Sequence, residues 1–127
     1  MRSLREIADY TSKMELEKSS RPWGRYEVIQ ETSFYKVKCI YVSPGKRLSY
    51  QRHEKRHEHW YFVQGEAEVT LNGVISHHRA GESISVKIGD LHRVSNISDR
   101  EVIFIEVQTG TYFGEDDIER IEDDFGR

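Results

Sequence analysis

The chain has little of what would tie it to a membrane, a secretory route or a nucleic acid. Its one cysteine, Cys39, cannot form an internal disulfide, and the strand-like run around it reads as a home for a buried thiol. No stretch approaches the ~18 apolar residues of a membrane span, and the N-terminus lacks the apolar segment of a signal peptide. The formal net charge of −3 gives no bulk attraction for nucleic acid or membrane. These absences lead to the expectation of a cytoplasmic protein. Repeats and low-complexity segments are missing too. What remains is 127 residues, enough for one domain with one core. Seven Tyr, five Phe and two Trp supply aromatic volume for a small barrel interior.

Hydrophobic periodicity changes once along the chain. Residues 3–17 predict an amphipathic helix: Ser3 and Glu6 form a capping box, and Leu4, Ile7, Ala8, Met14 and Leu16 fall near helical spacing. Ser19-Ser20-Arg21-Pro22 ends it, because proline disfavours helix in the residue before it. From there to about residue 109 the pattern is short strands separated by turns. Strands are expected over 24–30, 35–42, 47–51, 59–64, 67–71, 74–78, 83–86, 92–95 and 102–108. Ser43-Pro44-Gly45, Ala80-Gly81 and Ile88-Gly89-Asp90 are turns, and Asn72-Gly73 has the signature of a type I′ hairpin. Such a series predicts an all-β antiparallel sandwich or barrel. The acidic tail from Gly114 to Arg127 reads as solvated, or as a last helical turn folded over the barrel.

Two segments concentrate the chemistry: Gln51 to Trp60, and Gly81 to Asn96. Gln51 and His53 alternate onto one strand face, Glu58 opens the next strand, and His92 comes from the second segment. Two imidazoles, a carboxylate and an amide oxygen make a mixed N/O shell for a divalent metal ion. Zinc is the first choice, and Mn, Co, Fe or Ni suit the same donors. A single histidine in a strand is usually a core or surface residue, and His57, His77 and His78 are read that way. Asn96 is expected to end its strand through side-chain hydrogen bonds.

The spacing resembles the two cupin motifs. Gly81, Lys87-Ile88-Gly89, His92 and Asn96 match the second, with Lys87 where proline is usual; Gly45, Glu58 and Gly65 match the first. More narrowly, Arg21-Pro22-Trp23-Gly24, Leu48-Ser49-Tyr50-Gln51, Arg56-His57-Glu58-His59-Trp60 and the stretch from Glu106 to Ile118 resemble the type II mannose-6-phosphate isomerase domain. Lys55 departs from it, standing where related domains often carry another histidine. The resemblance implies a cupin double-stranded β-helix, a jelly-roll barrel, over 21–127, with residues 1–20 as a helical extension. It also implies metal-dependent interconversion of mannose 6-phosphate and fructose 6-phosphate through an enediol, and a homodimer. With no Gly-rich phosphate loop before the barrel, GDP-mannose synthesis is not expected of these residues.

Under that reading Glu58 is a candidate for both ligand and base, with His59 and Glu106 as rival bases. Arg56 and Lys38 are the expected phosphate contacts. Lys36 and Lys38 have an alternative reading as the solvated face of an edge strand. Trp60 should share the inward face of Glu58, either as a flat wall for the sugar ring or as plain core. Two other functions stay open: a non-catalytic sugar-binding cupin, and a metal cupin with other chemistry, such as a dioxygenase.

Overall fold

A computed structural model describes residues 18–127, so the helix expected over 3–17 lies outside the described residues. Eleven strands follow: β1 Lys18–Arg21, β2 Gly24–Glu31, β3 Tyr35–Val42, β4 Tyr50–Arg52, β5 Arg56–Gln64, β6 Glu66–Leu71, β7 Val74–Arg79, β8 Ser83–Val86, β9 His92–Asn96, β10 Val102–Gly110 and β11 Glu119–Glu122. They form a six-stranded sheet in the order β1-β2-β3-β10-β5-β8, facing a five-stranded sheet in the order β11-β4-β9-β6-β7. Every pairing is antiparallel. This is the double-stranded β-helix that the motifs imply. No helix among the described residues is long and apolar enough to cross a membrane.

Two expectations need correction. Lys18–Arg21, placed at the end of a helix by its sequence, is a strand pairing with β2. The tail forms β11 rather than a helical turn, and pairs with β4. The hairpin at Asn72-Gly73 is as expected: both residues have positive φ, 47° and 80°, which the tight primed turn between β6 and β7 requires.

The interior is divided along the strands. Inward positions of β3 run Val42, Ile40, Lys38, Lys36; those of β10 run Val102, Phe104, Glu106, Gln108; those of β5 run Phe62, Trp60, Glu58, Arg56. All of these are buried. Antiparallel register sets Lys38 opposite Glu106 and Glu106 opposite Trp60, then Lys36 opposite Gln108 and Gln108 opposite Glu58. Three neighbouring strands therefore change from apolar to polar at nearly the same level. At the apolar end Trp60 and Phe62 pack on Phe104 with ring centroids 5.4 and 5.5 Å apart. Burial of each such side chain contributes on the order of 1.5–3 kcal/mol. That end anchors the barrel and leaves the other free for chemistry.

Candidate metal centre

His53 follows β4, Glu58 lies on β5 and His92 opens β9. One ligand atom from each lies within 4.8 Å of the others, and all three residues are buried. Nε2 of His53 is 3.1 Å from Oε2 of Glu58, and Nε2 of His92 is 3.8 Å from Oε1. The second nitrogen of each ring meets a backbone carbonyl: Nδ1 of His53 at Asp117 and Nδ1 of His92 at Asp90, the latter at 2.9 Å. Donation from Nδ1 leaves Nε2 as the lone-pair nitrogen, the arrangement that presents an imidazole to a metal. Nε2 of His92 is buried without a partner. An unpaired buried nitrogen facing a carboxylate fits a cation between them.

Gln51 stands across the β4–β9 pairing from His92. Its Oε1 accepts a bond from the Ser49 hydroxyl at 2.6 Å, and its Nε2 lies 3.5 Å from Nε2 of His53. Turning the amide over would bring the oxygen to the cluster while the NH₂ meets Ser49. Gln51 thus borders the His53/Glu58/His92 cluster with its amide beside His53.

Electrostatics concentrate on two carboxyls. Burial favours the neutral form of Glu58, but its bond to His53 and the charges of His92 and Arg56 outweigh that and hold it well below the usual carboxylate range. Burial likewise pulls His53 down, and Glu58 more than reverses it, whereas burial keeps His92 below its ordinary value. Glu106 is the opposite case. Burial, and then the negative charge of Glu58, push it up to about 8. The indole Nε1 of Trp60 lies 3.0 Å from Oε1 of Glu58 and 3.1 Å from Oε1 of Glu106, while Gln108 donates to Oε2 of Glu106 at 2.7 Å.

Beside the cluster is a cavity of about 60 Å³, bordered by Gln51, His53 and Glu106 on one side and by Lys38, Arg56 and Glu115 on another. Arg21, Arg120 and Arg127 also border it, so cations prevail there in a chain of negative net charge. Arg56 donates from Nε to Oε2 of Glu58 at 3.0 Å, and Lys38 forms an ion pair with Glu115. Lys36 and Lys38 are only 7% and 3% exposed, on a strand inside the sheet, so the edge-strand reading is set aside.

Other expected positions fall elsewhere. His59 is on the outer face, its Nδ1 2.8 Å from the Ser85 hydroxyl, and the structure does not bring it to the site. Trp60 is 2% exposed and lies beneath the carboxylates instead of walling the cavity. Lys55 is exposed, over the ring of Tyr112. Arg47 pairs with Asp124 and Glu122 on the surface. His57 and His77 are exposed, and His78 lines a separate recess of about 270 Å³. Asn96 closes β9 by donating to the carbonyls of Val42 and Arg100.

Sequence reasoning missed Asp117. Its carboxylate accepts from the backbone N–H of Glu54 and Lys55 at 3.1 and 3.0 Å, while its carbonyl receives His53. Only its place in the matched stretch before Ile118 hinted at a role. Gly110 completes this junction: a Cβ there would lie 2.2 Å from the Lys55 carbonyl, so β10 passes the metal-binding turn as closely as it does only without a side chain.

Alginate biosynthesis protein AlgA of Pseudomonas aeruginosa is 44% identical over 107 residues, covering 84% of this chain and 22% of that protein. Mannose-1-phosphate guanylyltransferase ManC of Salmonella typhimurium matches to the same extent. The chain thus spans about a fifth of the length of these relatives. Among solved structures, a Klebsiella pneumoniae protein with a double-stranded β-helix domain superposes with a TM-score of 0.72 at 26% identity, over 85% of this chain and 92% of that one. Oxalate decarboxylase of Lactobacillus farciminis gives 0.73 at 21% identity, over 87% of this chain and 34% of that one, and shows the fold alone. The family model described as mannose-6-phosphate isomerase C-terminal matches residues 9–123, beginning before the motifs that first suggested it. With all of β1 to β11 inside that match, the chain belongs to the mannose-6-phosphate isomerase C-terminal family of cupin domains.

Proposed function

We propose that this domain interconverts mannose 6-phosphate and fructose 6-phosphate, with a divalent metal held by His53, Glu58, His92 and Gln51. The observation that carries the reading is the joining, at one end of the barrel, of a buried His/Glu/His cluster, a second carboxyl and two buried cations. Aldose–ketose exchange must move one proton between C1 and C2 and stabilise an enediolate. A metal bound by these donors supplies the charge stabilisation.

The chain's own groups account for the rest. Glu106 borders the cavity, whereas Glu58 lies behind it among His53, Arg56 and Trp60. Glu106 is therefore the carboxyl placed to carry the proton between the carbons. The Glu58 charge that helps keep it protonated would be offset by a cation bound at Glu58, freeing Glu106 to act as the base. Lys38 and Arg56 offer fixed positive charge for the phosphate and set the reacting carbons toward Glu106. His59, on the outer face, has no part in this. For assembly, a homodimer fits the half-exposed Tyr61 and Val63 on the outer face of the larger sheet, where a solvated antiparallel sheet would be polar.

The experiment is an isomerase assay of the metal-loaded protein with mannose 6-phosphate, alongside glucose 6-phosphate and free mannose. Turnover of mannose 6-phosphate that is lost on chelation and restored by metal is the expected result. A loaded, folded protein that turns over none of the three defeats the proposal.

A further inference from the structure

Lys38 and Arg56 are buried cations with one carboxylate reaching them from outside the barrel wall. Lys38, 3% exposed, has its ammonium 4.3 Å from the Tyr26 ring centroid, and its ion-pair partner is Glu115. Arg56, 4% exposed, uses Nε on Glu58 and Nη2 on His53, but Nη1 is buried with no partner. A buried guanidinium nitrogen without an acceptor is costly, and Arg56 lines the cavity that Glu115 lines too. Glu115 itself sits on the connection from β10 to β11, with its side chain 44% exposed. On either side of it that connection is fastened: the Phe113 carbonyl accepts from Lys36 at 3.3 Å, and Asp117 holds the metal-binding turn.

Volume points the same way. The cavity holds about 60 Å³, whereas small-molecule sites run to roughly 300–1,000 Å³. A hexose phosphate does not fit while the Glu115 side chain is paired with Lys38 in this cavity. Burial opposes charge on Glu115, yet Lys38 and Arg56 outweigh it and keep the carboxyl below its ordinary range, so it stays an anion.

We propose that Glu115 is a built-in occupant of the phosphate subsite formed by Lys38 and Arg56, a plug that a phosphorylated sugar displaces and an unphosphorylated sugar does not. The inference rests on the sugar-phosphate reading above and adds how the site selects its substrate. A phosphate carries more charge and more acceptor oxygens than a carboxylate, enough to exchange for Glu115 and also to accept from the unpaired N–H at Nη1. A neutral sugar offers nothing to exchange.

The test is calorimetric titration of the metal-loaded protein with inorganic phosphate, comparing wild type with Glu115→Gln, Glu115→Asp and Lys38→Met. Glu115→Gln should bind phosphate about tenfold more tightly, the scale of one charge-assisted contact released. Glu115→Asp, whose carboxylate is withdrawn by one methylene, should fall between. Lys38→Met, which removes one of the two cations of the subsite, should bind phosphate more weakly than wild type. Where Lys38→Met does not fold, the two Glu115 variants carry the test. Unchanged or weaker phosphate binding in both Glu115 variants overturns the plug, and so does phosphate binding that is indifferent to Lys38→Met. Because no turnover is measured, the outcomes separate. A protein that obeys this series but does not isomerise mannose 6-phosphate retains the subsite and loses the isomerase reading.

Discussion

Glu106 faces Trp60 across the β10–β5 ladder, and the indole N–H of Trp60 is 3.1 Å from Oε1 of Glu106. The same N–H is 3.0 Å from Glu58, so one proton is shared between two buried carboxyls. Two negative charges cannot both be held by one donor at that depth, and they divide the roles. Glu58, next to His53 and Arg56, is the charged member, and Glu106 keeps its proton up to about pH 8.

That division has a pH signature in the metal-free protein. Glu106 binds its proton more tightly folded, at about 8, than unfolded, near 4.5. Its contribution to stability is then complete below about 4.5 and is lost as pH rises through about 8. Glu106→Gln removes the ionisation but keeps the shape. Denaturant unfolding from pH 5 to 9 should show a flatter profile for the variant, which becomes more stable relative to wild type as pH increases. In the metal-loaded enzyme the same variant should lose at least ~10²-fold in turnover, as removal of a proton carrier does, while its metal content is unchanged. Parallel pH profiles would contradict the assignment.

Trp60→Phe isolates the shared donor. The ring that packs on Phe104 remains, and the N–H between the carboxyls goes. Leaving buried acceptors unserved costs about 1–3 kcal/mol. We expect that loss in unfolding free energy near pH 7, and a larger one near pH 9, where Glu106 is ionised as well and depends more on the N–H. An equal loss at both values would mean that packing, and not the N–H, sets the role of Trp60.

The sequence carried this site unevenly, for reasons visible in single residues. Period-two alternation placed Glu58 and Trp60 on one inward face, and the bounds of Tyr35–Val42 were legible from its β-branched and aromatic run, but the sequence left Lys38 open between a phosphate contact and a solvated edge face. The same alternation turns His59 outward, although the sequence alone leaves it a rival base beside Glu58. Strands β1 and β11 were illegible: Lys-Ser-Ser-Arg and Glu-Arg-Ile-Glu have no apolar alternation, and partners at the sheet edges hold them extended. Contacts across long separations were hidden as well. Lys38 and Glu115 are 77 residues apart, His53 and Asp117 64, and neither spacing is a motif.

Metal ligation makes a graded prediction. His53→Ala removes a donor whose lone pair has no substitute among its neighbours, and should abolish both metal binding and turnover while the barrel stays folded. Gln51→Ala removes a neutral oxygen at the edge of the cluster and should weaken binding while leaving it measurable. Metal content by elemental analysis and titration with a competing chelator rank the two. Full metal occupancy in His53→Ala would show that the ion is held elsewhere.

Asp117 is the last position to test, because it joins the tail to the ligands without touching the metal position. Its side chain fixes the backbone N–H of Glu54 and Lys55, and its carbonyl orients the His53 ring. Asp117→Ala frees two backbone donors on an exposed turn, where water replaces them, so the stability loss should be modest, about 1 kcal/mol. The larger effect falls on the ring. The Asp117 carbonyl remains in the alanine variant, but without the side-chain clamp it is no longer fixed against the turn that carries His53. Full loss of such a partner is worth about 10–100-fold in metal affinity, and a loosened one should cost up to about tenfold. Asp117→Asn keeps one acceptor oxygen and should recover much of that affinity. Equal metal affinity in wild type and Asp117→Ala would show that the turn is rigid without its clamp, and that the tail contributes only to the wall of the cavity.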